Sequence, residues 1–448
     1  MKKKLIFTMA LLCVTLCVPL LVFGQDFQMR GTVLVRYNGN AANVTIPAGV
    51  TSIGELAFFS KSNLRSVIIP SGVTSIGNGA FSFCTSLTTV TIPSSVTSIG
   101  HEAFNFCSSL TSINIPAGVT SIGENAFFVC ENLRSVTIPS SVTSIGRGAF
   151  YGCKSLTTVT IPVRVTSIGD AVFSGCSSLT SIAVDTQNSA YSSVEGVLFN
   201  KNRSIIVAYP TGKQERTYTV PSSVTSIGNS AFNSCSRLTS ITIPTNVTSI
   251  GEGAFFGCSS LTSITIPSGV TSIGQEAFSG CSSLTRITIP AGVTSIRRSA
   301  FKECSSLESV TIPSSITSID QEAFAACSSL TGVTIPSSVT SIGDSAFAGC
   351  ISLTSITIPA GVTSIGECAF QACFSLTSIT IPSRVTTIKQ RTFFRCENLR
   401  SITIPSNVTS IEGEAFYGCD NLREVTISRR TRIGNDAFPS TARITYSD

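Results

Sequence analysis

The stretch CSSLTSITIPSGVTSIGQEAFSG, from Cys258 to Gly280, starts again at Cys281 and recurs along almost the whole chain. Its phenylalanine marks the beat. Phe58, Phe81, Phe104, Phe127, Phe150 and Phe173 stand 23 residues apart, as do the positions from Phe232 to Phe416, and Phe438 follows one residue early. A unit of 23 residues with apolar positions spaced L-x-x-I-x-I is too short to enclose a core of its own. It can bury its apolar side only by stacking on a copy of itself, so a fixed period in this range predicts a solenoid in which each repeat is one coil. The 448 residues are therefore read as one elongated array rather than two or three globular domains.

Within a coil, Leu261, Ile264 and Ile266 carry strand spacing, and Thr265 points away from its isoleucine neighbours. This predicts a parallel sheet with one strand per coil. Pro267 cannot donate to a ladder, which places a turn just past that strand. Val270 and Ile273 face inward again, Gly274 permits a tight bend, and Ala277, Phe278, Cys281 and Leu284 have the spacing of a short helical turn. The expected architecture is an α/β repeat solenoid, with a parallel β-sheet face and short helical turns on the other side.

The beat fails once, between Leu179 and Val220, where Cys176 and Cys235 are 59 residues apart. Two apolar runs, Val197 to Phe199 and Ile205 to Tyr209, flank the polar turn NKNR and predict an inserted β-hairpin projecting from the stack. The resulting organisation is a signal peptide at 1–24, an N-terminal cap at 25–43, a first array at 44–182, the hairpin at 183–220, a second array at 221–438 and a tail at 439–448.

The opening MKKKLIFTMALLCVTLCVPLLVFGQ joins a basic stretch to an apolar run from Leu5 to Phe23, with Gly24 ahead of a cleavage point before Gln25. This predicts export to the medium or the cell surface. Lipidation of Cys17 is the alternative, disfavoured by Leu16, a poor residue to precede a lipidated cysteine. No later stretch is apolar over the length needed to cross a bilayer. Loss of Lys2, Lys3 and Lys4 would leave 27 bases against 24 acids, and +3 is too weak a charge to draw nucleic acid or anionic lipid.

Fourteen of the 17 cysteines fall at one repeat position, from Cys84 to Cys176 and from Cys235 to Cys419. Equivalent side chains in a stack point in parallel rather than at one another, so they are read as buried free thiols serving as small apolar residues. Cys368 stands outside this ladder. His101 is the single histidine, at a variable position, and no C-x-x-C or Cys/His cluster offers a metal site. No paired carboxylates share the sheet, so no catalytic residue and no cofactor is assigned. The outward strand position instead reads Thr242, Thr265, Thr288, Thr311, Thr334, Thr357, Thr380 and Thr403. As structure, these suit an exposed sheet position; as function, they offer a long neutral hydroxyl face. Arg286, Glu308, Arg400 and Arg423 break the Ser/Thr monotony beside the strand and are the candidate local anchors.

The units IPxxVTSIGxxAFxxCxxL, together with the internal VDTQNSAYSSVEGVLFNKNRSIIVAYPTGK, resemble the BspA-like class of leucine-rich repeats over roughly residues 30 to 438. Val270 and its equivalents stand where common leucine-rich repeats have Asn or Cys, which marks a variant class. The resemblance implies a secreted or surface protein that adheres to host extracellular proteins, such as fibronectin or fibrinogen, to epithelial cells or to other microbes. The alternative is a structural or decoy repeat protein without a defined ligand.

Overall fold

The computed structural model describes residues 22–23 and 26–447, and these form stacked coils. The signal segment expected at 1–24 lies outside the described residues, apart from Val22–Phe23, which pairs antiparallel with Phe27 and Gln28. One coil shows how the repeat closes. Its first strand, Arg286–Thr288, pairs in parallel with Ser309–Thr311 of the next coil. Its second strand, Ser295–Ile296, pairs in parallel with Ser318–Ile319. The solenoid therefore carries two faces of parallel strands, a front face of first strands and a back face of second strands, each divided into several hydrogen-bonded sheets, where the sequence pattern disclosed only the front one.

The third side of the coil corrects the expectation of helical turns: the described residues contain no helix. Along this turn edge, Ser299, Phe301 and Glu303 donate their backbone N–H groups to the carbonyls of Gln321, Ala323 and Ala325 in the next coil, at 2.8–2.9 Å. The intervening Ala300, Lys302 and Cys304 close local turns onto Arg297, Ser299 and Phe301 at 3.1–3.3 Å. A helix would turn every donor back along its own chain. Here alternate donors run along the solenoid, because Ser299 and Glu303, at φ of 52° and 60°, break the helical path every fourth residue. Gly274 also plays a different part from the one expected. Its φ is unexceptional, and a Cβ there would come within 2.4 Å of Glu252 N, so its value lies in close coil-to-coil approach.

All eight apolar positions of the coil point into the space between the three sides; Leu284, Ile287, Ile289, Val293, Ile296, Ala300, Phe301 and Cys304 are all buried. The phenylalanines stack along the axis, with ring centroids 5.5 Å apart from Phe278 to Phe301 and 5.4 Å from Phe301 to Phe324. Each ladder thiol donates to the carbonyl of the aromatic residue 26 positions earlier, as from Cys304 Sγ to Phe278 O at 3.1 Å. That bond explains why cysteine rather than alanine recurs: the thiol fills an apolar site and also satisfies a buried carbonyl.

The insertion does not project. Strand Val197–Asn200 pairs antiparallel with both Tyr191–Val194 and Ile205–Ala208, and the latter joins the back sheet by parallel pairing of Ile206 with Ile227. Val197, Leu198, Phe199 and Ile206 are fully buried. The buried residues fall into two separate cores that meet at this hairpin: Leu198 packs in the first, and Val197 and Phe199 in the second. Alternation along one strand thus seals two arrays at once.

The same device opens the chain. Strands Phe27–Arg30 and Val33–Tyr37 form an antiparallel hairpin whose second member pairs in parallel with Ser52–Ile53. Tyr37 packs its ring against Phe58 at 5.1 Å as Tyr209 does against Phe232 at 5.3 Å, so each array begins with a hairpin that leads into a tyrosine. The insertion is a second N-terminal cap. At the other end, residues expected as a tail form the strand Arg443–Ser447, which pairs in parallel with Glu424–Ser428.

Candidate binding surfaces

The front sheet places all eight threonines of the outward column, from Thr242 to Thr403, at exposed positions, in register where adjacent strands pair, as Thr288 with Thr311 and Thr334 with Thr357. Arg286 and Glu308 are exposed on neighbouring coils of the same face, as are Arg400 and Arg423. Other exposed threonine columns spend their hydroxyls on backbone carbonyls of the preceding coil: Thr262 Oγ1 donates to Thr239 O at 3.1 Å and Thr317 Oγ1 to Thr294 O at 3.2 Å. Thr426 and Thr445, at the C-terminal end, bond each other at 2.8 Å. None of the eight column hydroxyls makes a hydrogen bond among the described residues. Where adjacent strands pair, they stand about 4.8 Å apart, the strand spacing of a sheet, with donors and acceptors directed to solvent. In the first array the same column is irregular, and Ile68 stands there 52% exposed.

A second surface escaped the sequence reading. Along the turn edge of the first array, Phe59, Phe83, Phe106, Phe128 and Tyr151 form an outer ladder, with successive ring centroids 5.7, 4.7, 5.5 and 4.9 Å apart. Phe59 and Phe83 are 47% and 40% exposed, beside Leu56 at 47%. Exposed aromatic rings in contact with one another are a second kind of interaction surface. The signal was present in the runs AFFS, AFSF, AFNF, AFFV and AFYG, where a second aromatic follows the core phenylalanine by one or two residues.

The residues considered for chemistry are dispersed. His101 is exposed on the turn edge, and its Nδ1 accepts the Glu124 backbone N–H at 3.0 Å. Among the described residues no group of three or more His, Cys, Asp and Glu side chains converges as a metal site would require. Burial pushes the Cys130, Cys258 and Cys350 thiols up to about 12, which suppresses the thiolate that reactive cysteines need. Cys368 is partly buried on the turn edge; burial raises its thiol, and neighbouring Arg391 opposes that rise. No helix among the described residues is long and apolar enough to cross a membrane.

Comparison with known proteins places this architecture. The family model described as "BspA type Leucine rich repeat region (6 copies)" matches residues 35–131, 98–210, 207–331 and 317–445. A leucine-rich repeat protein from Eubacterium ventriosum is similar at 29% identity with a TM-score of 0.56, over 76% of this chain and 88% of its own. A leucine rich cell surface protein from Faecalibacterium prausnitzii is similar at 30% identity with a TM-score of 0.52, over 81% and 94% of the two chains. No curated protein matches the chain significantly. The period, the stacked aromatic core, the capped arrays and these matches agree, and the chain belongs to the BspA-type leucine-rich repeat proteins.

Proposed function

We propose that this protein is a non-enzymatic surface or secreted adhesin that binds a protein or glycan of the host matrix, fibronectin or fibrinogen for example, or a partner cell, through its front sheet. The observation that carries this reading is the column of eight exposed threonine hydroxyls without partners inside the protein. Hydroxyls at sheet spacing, repeated over the second array, suit an extended or repetitive ligand that makes many modest contacts, so apparent affinity accumulates with length. Arg286, Glu308, Arg400 and Arg423 supply charged anchors at its margin. The family and the Faecalibacterium cell surface relative support a place outside the cell.

The test is surface plasmon resonance of the mature full chain over fibronectin, fibrinogen and epithelial cell membranes. We expect binding in the micromolar to nanomolar range. The variant carrying Thr311→Asp, Thr334→Asp and Thr357→Asp should bind at least about ten-fold more weakly, since buried unpaired charge opposes docking. Absence of binding by the intact chain would favour the structural or decoy reading, and full binding by the variant would move the contact to another face.

A further inference from the structure

The cap-like insertion leaves a notch in the turn edge. From Ile206 the hairpin reaches the core at Tyr209 in three residues, whereas the next coil takes five, from Ile227 to Phe232. The residues it omits are the counterparts of Asn229 and Ser230, which loop outward in that coil. Asn229 Nδ2 spans the gap to Asp170 Oδ2 at 3.2 Å, and beside this bridge the two arrays enclose a groove of about 430 Å³. That volume falls within the range of specific ligand sites, about 300 to 1,000 Å³.

Two features of the lining are unusual for this chain. The first is aromatic. Phe128 and Tyr151 enter from the first array and Phe256 from the second. Tyr151 ends the outer ladder, with Phe128 as its ring neighbour, and Phe256 stacks on no other ring among the described residues. The second is charge. Glu124, Glu252 and Glu276 line the groove against the single base Arg147, in a chain that is formally +6. None of these four side chains forms an ion pair among the described residues, although lysine–glutamate and arginine–glutamate pairs occur elsewhere on the surface.

Aromatic faces combined with unpaired carboxylates match a cation carried on an apolar stem or in a planar guanidinium, which gains from the ring and the acid together. The same carboxylates repel phosphate, which disfavours nucleic acid and anionic headgroups. We propose that the groove between the arrays receives a basic, extended segment of a partner protein, with an Arg or Lys side chain against Tyr151 and Phe256 and its charge met by Glu252 and Glu276. This site lies on the turn edge, apart from the threonine face, and stands or falls independently of the adhesion reading.

The experiment is fluorescence anisotropy of the full mature chain with a labelled (Arg-Gly)4 peptide, and with (Glu-Gly)4 as the counterpart. Binding of the basic peptide, weakened by salt, is expected, with no binding of the acidic one. Phe256→Ala and the double variant Glu252→Gln/Glu276→Gln should each weaken it about ten-fold, while Glu308→Gln and the threonine-face variant leave it unchanged. Thermal melts of each variant check that the arrays remain folded. The proposal is overturned if the basic peptide fails to bind at millimolar concentration, or if it binds the two groove variants as tightly as the native chain.

Discussion

The hairpin between the arrays gives an unusual opportunity to unfold one half of the molecule at a time. Leu198 and Phe199 are adjacent, fully buried and on opposite faces of one strand, yet they belong to different cores. Truncating Leu198 to Ala removes a buried side chain from the first array's seal and should cost about 2 to 5 kcal/mol; Phe199→Ala does so for the second at about 3 to 5 kcal/mol. Each coil contacts only its neighbours, so the loss should be felt most in the coils next to the hairpin and fade away from it. A local loss of about 3 kcal/mol corresponds to a rise of more than about 100-fold in the exchange rate of amides that open with the damaged coils. Native-state hydrogen exchange on the full chain, read by mass spectrometry, separates the outcomes. Leu198→Ala should deprotect coils before residue 182 and spare those after 220, and Phe199→Ala should do the reverse. Equal deprotection of both sides by both substitutions would refute the idea of two separately capped cores.

Further outcomes follow from the stack. Phe301→Ala should cost about 3 to 5 kcal/mol, because the ring touches neighbours on both sides, and Phe438→Ala should cost less, since Phe438 is half-buried and, among the described residues, stacks on Phe416 alone; denaturant midpoints compare them. The ladder thiols should resist a thiol reagent in the folded protein and react fully once it is denatured. Their titration also sets a pH limit. Folded Cys130, Cys258 and Cys350 are held near 12 against an ordinary 9.0. Raising the pH therefore deprotonates the unfolded chain first, and stability that is complete below about 9 drains between 9 and 12. The loss is about 1.4 kcal/mol per thiol per pH unit, so the melting temperature under reducing conditions should be level from pH 6 to 8 and fall steeply above 9.

Most of the solenoid was legible because its determinants are local and repeated. Leu261, Ile264 and Ile266 announce the front strand by spacing alone, and a 23-residue phenylalanine period leaves stacking as the way to bury the rings. The turn edge was misread for a specific reason. Ala277, Phe278 and Cys281 have helix-compatible spacing, but spacing does not reveal that Glu276 and Gly280 adopt left-handed φ values of 55° and 72°. The back sheet was missed because a two-residue strand such as Ser272–Ile273 carries no periodicity of its own. The inserted hairpin was recognised from its two apolar runs, yet its burial was not, since Leu198 and Phe199 need partners on opposite sides of the strand that only the assembled arrays provide. On the surfaces, the threonine column could be read directly, whereas the joint groove depends on residues from Glu124 to Glu276 brought together across the insertion.

If the solvent-facing hydroxyls of the front strands are the binding chemistry, isosteric substitution of the threonines will weaken binding without disturbing the fold. Replacing Thr311, Thr334, Thr357 and Thr380 together by valine keeps the β-branched shape and the sheet but removes four hydroxyls, while serine at the same positions keeps the hydroxyls. At about 0.5 to 1.5 kcal/mol for each hydrogen bond, the valine variant should bind the matrix ligand or cell surface at least about ten-fold more weakly than the native chain in a plasmon resonance titration, with the serine variant close to native. Native affinity in the valine variant, with its melting temperature unchanged, would show that the hydroxyls are not the binding chemistry.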